Sequence, residues 1–296
     1  MIDVVIVGGG AAGLSAALVL GRARRQTLVI DAGHPRNEPS PAAHSFFTRD
    51  GTSPAELLRV ARVQLDPYSS VELRSGRALS AVPVAGGFSV RMEDGVEVSA
   101  RRLLLAIGVR DQLPQIPGVA ESWGRGVLHC PYCHGWEIRD ERIALYASPA
   151  QIVEFAPILL QWSRDLLVCT DDGELAAAER ATLTRLGVHI IDAALQRVNS
   201  DGEFQRMVFA DGHVEQCRAL FIRPSQSVTN GIAEQLGCER TDKDLIAIDA
   251  DGRTSVAGVY AAGDAVSPMQ QIVIAAASGA TAAMHINRDL VQADVA

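Results

Sequence analysis

Two cysteines three positions apart, each flanked by a histidine, form the most reactive-looking stretch of the chain: His129, Cys130, Pro131, Tyr132, Cys133, His134. Three chemistries use such a cluster. A zinc site needs four ligands, usually from a second cysteine or histidine pair. The chain has no second C-x-x-C or H-x-x-x-H, and these four residues are too contiguous to close a comfortable tetrahedron. A permanent structural disulfide between such near neighbours closes a tiny loop and stabilises little. A redox dithiol suits the spacing better. It puts two sulfurs within bonding reach, and a helix start lowers the pKa of a thiolate. That reading is favoured, with the other two still open on these residues. No metal is expected.

The rest of the composition narrows the class. Five cysteines in 296 residues, with Cys169, Cys217 and Cys238 isolated, do not make a disulfide-stapled secreted domain. With 48% hydrophobic and 21% charged residues the chain can bury a large core. A net charge of −8 argues against nucleic acid or an anionic membrane surface as the main partner. The apolar run "VVIVGGGAAGLSAALVL" is broken early by glycines and follows no basic segment, so neither a signal nor a membrane span is expected. A cytoplasmic location is expected instead. In that reducing compartment a close cysteine pair is more often catalytic or metal-binding than structural.

The elements that must position this chemistry come in two similar sets. "DVVIV" reads as a buried strand, "GGGAAG" as a turn, "LSAALVLGRA" as a helix and "TLVID" as a second strand. Gly8, Gly10 and Gly13 fit G-x-G-x-x-G. In that pattern they permit a tight turn, a close approach to a pyrophosphate, and contact of helix with strand. The helix N-terminus adds free N–H groups for phosphate. Asp31 ends the second strand, where a carboxylate can accept from a ribose hydroxyl. Near mid-chain, strand "IALYA", an apolar helix around residues 152–162 and strand "DLLVCT" repeat the order. Its three glycine positions read Ala147, Pro149 and Ile152. Pro149 lacks an N–H and fixes φ, and Ile152 fills the place of closest helix–strand contact. Asp171, Asp172 and Glu174 follow, where a 2′-phosphate would want arginines. Asp171 could instead serve an NAD ribose. Hairpins with "EDG", "SDG" and "ADG" turns come between, and a helix over about 271–290 closes the chain. The expected fold is α/β, with two nucleotide-binding, Rossmann-like three-layer ββα domains, the second inserted into the first. The expected boundaries are 1–113 and 241–296 for the first domain and 114–240 for the second.

Four motifs, "GGGAAG", "LLLAIGVR", "CPYC" and "GVYAAGD", stand in one order along the whole chain. In these the sequence resembles the low-molecular-weight thioredoxin reductase family of two-domain flavoproteins. The resemblance implies FAD in the first domain. Gly8, Gly10, Ala11, Ala12, Gly13 and Asp31 would hold its ADP half. Gly263 and Asp264 would hold the ribityl–pyrophosphate section, and Gly108 counts among the cofactor positions. Gln271 and Ile272 would lie at the pyrimidine edge, where a helix N-terminus favours the negative charge that collects on reduction. The resemblance also implies that Cys133 faces the flavin while Cys130 exchanges with substrate. The family usually has aspartate after the second cysteine, and here it is His134, a candidate acid/base. "CHG" also occurs in a branch similar to gliotoxin- and holomycin-type dithiol oxidases. Tyr132 and Trp136 are expected to serve packing. The implied activity is FAD-dependent dithiol/disulfide exchange without NADPH. The substrate would be a small dithiol or disulfide or a thioredoxin-like protein, with O2 or another electron partner, in a homodimer. Two alternatives remain: an NAD(P)H-dependent reductase with an atypical nucleotide site, and a non-catalytic flavin-binding redox sensor.

Overall fold

The computed structural model describes residues 1–170 and 173–296. Asp171 and Asp172, two of the three acids expected to repel a 2′-phosphate, lie outside the described residues.

Along the chain, β1 (Ile2–Val7), α1 (Ala11–Arg22) and β2 (Thr27–Asp31) come first. Helix α2 (Pro54–Val63) starts at Ser53, whose hydroxyl accepts from the Glu56 N–H at 3.3 Å. Strands β3 (Val71–Ser75), β4 (Ala78–Val84), β5 (Gly87–Met92) and β6 (Glu97–Leu105) follow. Next are β7 (Val109–Gln112), α3 (Val119–Ser122), β8 (Val127–Leu128) and α4 (Pro131–His134). A 3-10 turn, Trp136–Ile138, leads to β9 (Ile143–Tyr146), α5 (Pro149–Leu159) and β10 (Leu166–Cys169). Then come α6 (Ala177–Arg185), β11 (His189–Ile191), β12 (Leu195–Ser200), β13 (Gln205–Phe209) and β14 (Val214–Cys217). The chain ends with β15 (Ala219–Ile222), β16 (Ser225–Val228), α7 (Ile232–Gln235), β17 (Val259–Ala261) and α8 (Ile272–Val295).

Two compact units result. One comprises residues 1–38, 46–110 and 226–296, the other residues 39–45 and 111–225. The first is built on a seven-stranded sheet ordered β3-β2-β1-β6-β5-β4, with β17 also paired to β6. Strands β1, β2, β3, β6 and β17 run parallel, and β4–β5–β6 form an antiparallel meander. Val4, Val5 and Ile6 are fully buried, because apolar side chains cover both faces of a parallel strand. One face packs against Phe88, Val259 and Ile246, and the other against Ala16, Leu20, Ala282 and Ile286. The second face is closed by α1 against α8. Their backbones come so near that a Cβ at Gly279 would overlap the Ala12 carbonyl.

The second unit holds a parallel five-stranded sheet, β11-β10-β9-β15-β8, and an antiparallel one, β12-β13-β14. The "SDG" turn joins β12 to β13, where the Asp201 carboxylate accepts from the Phe204 N–H at 2.7 Å. The helix expected over 152–162 starts earlier, at Pro149, and ends at Leu159. Proline lacks an N–H that the first turn would leave unpaired anyway, so it begins a helix rather than delaying one. Among the described residues, no helix is long and apolar enough to cross a membrane.

Candidate active site

The turn after β1 is held open by its glycines. A side chain at Gly8, where φ is +107°, would overlap the Ala106 carbonyl, and one at Gly13 would overlap the Gly8 carbonyl. Gly10 differs. It caps α1 with ordinary extended angles, φ −79° and ψ −167°, and a Cβ there meets nothing within 4 Å. Neither strain nor packing requires glycine at that position. The clear space beside its backbone is what a pyrophosphate needs for close approach. Ala11 and Ala12 open α1 behind it. Asp31, at the end of β2, accepts from the Gly9 N–H at 3.3 Å and from Arg62 at 2.8 Å. A cleft of about 500 Å³ opens there, lined by Gly9, Asp31, Arg62, Arg74, Ser75 and Gly76. It lies beyond the carboxyl ends of β1, β2 and β3, where open parallel sheets take their ligands.

The other cofactor candidates of this unit stand at the same ends of neighbouring strands. Gly108 (φ +66°) follows β6, and Gly263 (φ +81°) follows β17. The Gly263 N–H donates to Ser278 Oγ at 2.9 Å. Gln271 caps α8 and Ile272 is its first residue. Asp264 Oδ2 accepts from Arg36 Nη1 at 3.3 Å. The same guanidinium donates to Gln270 Oε1 at 2.6 Å, and Gln270 donates onward to Gln226 at 2.7 Å. Sequence reasoning named Asp264 but not Arg36, Gln270 or Gln226, which the fold gathers beside it. Arg36 and Asp264 are 228 positions apart, and no local pattern joins them.

In the second unit Cys130 and Cys133 are joined as a disulfide, with Cα atoms 5.3 Å apart. Cys130 is the N-cap of α4 and Pro131 its first residue. Gly135 keeps right-handed helical angles, so the helical path runs on into the 3-10 turn. Positions 130, 133, 134 and 137 therefore share one face. That face carries the disulfide, His134 and Glu137. Burial lowers the pKa of the His134 imidazole below its ordinary value; the Glu137 charge opposes the shift, and His44 adds to it. His44 Nε2 lies 3.4 Å from Glu137 Oε1. Tyr132 and Trp136 were expected to pack, yet they are 66% and 67% exposed. They project from the other side of the turn, Tyr132 edge-on to Trp162 and Trp136 beneath the Arg139 guanidinium. His129 stacks on Trp123 instead of joining the cysteines' face. Cys169, Cys217 and Cys238 are buried thiols. Desolvation pushes all three up in pKa, Cys217 to about 12, which keeps them protonated and inert.

The turn after β9 is closed where the turn after β1 is open. Ser148 is the N-cap of α5, and its N–H donates to Gln151 Oε1 at 3.2 Å, so the Gln151 side chain folds back over the helix start. The Pro149 ring fills the space beside Gly173, where an added Cβ would sit 2.7 Å from Cδ and Cγ. Ile152 is fully buried in the core of the unit, and Glu174 is exposed.

A bonded cysteine pair at a helix start and an open glycine turn on a parallel sheet define a thiol/disulfide oxidoreductase built on nucleotide-binding folds. The chain belongs to the pyridine nucleotide-disulphide oxidoreductase family, which it matches over residues 2–279. Within that family it is thioredoxin reductase-like, and it is a flavoprotein by that membership. It is 31% identical to thioredoxin reductase sirT of Leptosphaeria maculans, over 99% of this chain and 96% of that one. The fold is similar to the crystal structure of HlmI, with a TM-score of 0.94 and 38% identity, covering 99% of this chain and 94% of that one. It is also similar to an oxidoreductase from Agrobacterium tumefaciens, with a TM-score of 0.92 and 35% identity, covering 98% of each chain.

Proposed function

We propose that the protein is an FAD-dependent dithiol/disulfide oxidoreductase that works without NADPH and passes electrons from substrate thiols to O2. The observation that carries this reading is the bonded Cys130–Cys133 pair sharing a helical face with a half-buried histidine. The first β–α turn fits the cofactor, since Gly10 leaves clear space where a pyrophosphate would approach. In this reading Gly8, Gly10, Ala11, Ala12, Gly13 and Asp31 hold the ADP half. Gly108, Gly263, Asp264, Gln271 and Ile272 hold the remainder. Bound FAD supplies a two-electron acceptor that O2 can reoxidise, yielding hydrogen peroxide.

The chain's own residues do the sulfur chemistry. A substrate thiolate attacks Cys130 Sγ and the Cys133 thiolate leaves. The second substrate thiol then displaces Cys130, closing the substrate disulfide. His134 takes a thiol proton in the forward direction. Its lowered pKa keeps it neutral, and so able to act as a base, below the ordinary histidine range of about 6.5. Independence from NADPH is supported by the Gln151 side chain folded back on Ser148, the Pro149 ring against Gly173 and the buried Ile152.

The test is anaerobic mixing of the purified yellow protein with dithiothreitol, NADPH and NADH in parallel, followed by air. Bleaching by the dithiol only, with recovery in air, is expected. Rapid bleaching by NADPH would overturn the nucleotide-free reading. Cys130→Ser and Cys133→Ser should each abolish turnover of dithiol, and full activity in either would place the chemistry elsewhere.

A further inference from the structure

The segment 39–45 lies in sequence between two stretches of the first unit, yet it belongs to the second. It is tied down there at two points. The Pro39 ring packs against Gly124, where an added Cβ would meet its Cβ at 2.9 Å. Ser45 Oγ donates to the Tyr132 carbonyl of α4 at 3.4 Å. The strap so fixed presents His44 Nε2 to Glu137 Oε1 at 3.4 Å. Glu137 is three positions beyond His134 on a continuous helical path, which puts their Cβ atoms about 5–6 Å apart. It is four positions beyond Cys133, on the same side. Glu137 is 42% exposed and His44 21%, so the carboxylate reaches water while His134 is half-buried. Among the described residues, no three His, Cys, Asp or Glu side chains group in a way that would hold a metal ion.

We propose that Glu137 and His44 form the proton outlet of the Cys130–Cys133 pair, passing to solvent the proton that His134 takes from a substrate thiol. The proposal deepens the reading above and rests on it. The balance of the half-reaction that reduces the cysteine pair is simple; passing the electron pair on to FAD re-forms the disulfide. Two substrate S–H bonds break and one substrate S–S bond forms, while the Cys130–Cys133 bond breaks. The electron pair moves from substrate sulfur to cysteine sulfur. One proton stays on Cys130, Cys133 leaves as thiolate, and the second proton goes to His134. Unless that proton leaves, His134 stays charged and cannot accept the next. Glu137, three positions on and 42% exposed, is placed to take it through water and release it to solvent, and His44 Nε2, 3.4 Å away, holds the carboxylate in place. The charged groups that act on His134 are Glu137 from the 3-10 turn and His44 from the strap, and Cys130 and Cys133 share its helical face. Arg139 turns away, over Trp136, and donates to the Trp136 carbonyl at 2.7 Å.

The two partners pull on His134 in opposite directions, Glu137 raising its pKa and His44 lowering it. That gives a readout which mere loss of packing would not reproduce. The experiment uses the full-length purified protein and anaerobic dithiothreitol, with acid quench and counting of alkylated thiols by mass, from pH 5 to pH 9. The ratio of variant to wild type at each pH cancels the ionisation of the reagent. Glu137→Gln and His44→Gln should each slow reduction of the disulfide about tenfold, short of the roughly 10²–10⁴-fold of a direct acid–base group. The acid limb should move to lower pH in Glu137→Gln and to higher pH in His44→Gln, and Glu137→Asp should restore most of the rate. Profiles that superimpose on wild type, or uniform slowing with no movement of the limb, would overturn the outlet. His134→Gln separates the two readings. If it reacts as fast as wild type, or if wild type is not reduced at any pH, the acid–base reading itself fails. If it is slow while the other two variants match wild type, only the outlet fails.

Discussion

The turns after β1 and after β9 have the same topology and opposite contents. Gly8, Gly10 and Gly13 stand in one where Ala147, Pro149 and Ile152 stand in the other. In the first, two glycines are required because the backbone crowds itself, and the third leaves open space. In the second, the replacements at 149 and 152 favour folding. Proline pre-sets the first helical turn, Gln151 closes it through Ser148, and Ile152 fills the core. Glycine in a helix costs about 1 kcal/mol relative to alanine. On the proposed reading, the first turn keeps residues that weaken it because it must admit a ligand, and the second, serving only as scaffold, is free to exchange them.

Swapping residues between the turns should break this comparison or sharpen it. The largest effect is expected from Gly13→Ile, which gives the first turn the residue of the second. Its Cβ would overlap the Gly8 carbonyl, so a loss above about 4 kcal/mol is expected in urea unfolding, or no soluble protein. A stable, yellow Gly13→Ile protein would show that the two turns are interchangeable. The reverse swap, Ile152→Gly, should cost about 4 kcal/mol from the cavity and the helical glycine, and should gain no bleaching by NADPH. Appearance of NADPH-driven reduction would mean that this one side chain had closed the site. Gly10→Ala separates ligand from fold. Unfolding of the cofactor-free protein should change by less than about 1 kcal/mol, since the angles are ordinary and the new methyl meets nothing. Flavin retention, measured by ultrafiltration, should fall about tenfold or more, equivalent to about 1.4 kcal/mol. Unchanged retention would remove Gly10 from the cofactor site. The smallest effect is expected at Ser148→Ala, about 1 kcal/mol of stability from the lost cap with no change in flavin content.

Much of the scaffold was legible because its signals are short-range. Buried strands announce themselves as β-branched runs, hairpins by Asp-Gly turns, and the cysteine pair by its spacing of three. Even there, Pro149 was read as stiffening a turn when it begins a helix, and the final helix runs to Val295. Tyr132 and Trp136 were assigned to packing on residue type, although their positions on the helical turn leave them exposed.

The sequence by itself determined the strands and helices of the two β–α–β units, which turn needs glycine, and where two sulfurs can meet, because each depends on neighbours within about four residues. Only the tertiary structure decided that Arg36 and Gln270 gather at Asp264, that Gly279 lets α8 touch α1 at Ala12, and that a strap from residues 39–45 brings His44 to Glu137. Those partners are distant along the chain and carry no periodic signal. They meet because parallel strands place all their carboxyl ends on one edge, and because a helix start leaves groups that some other segment must satisfy.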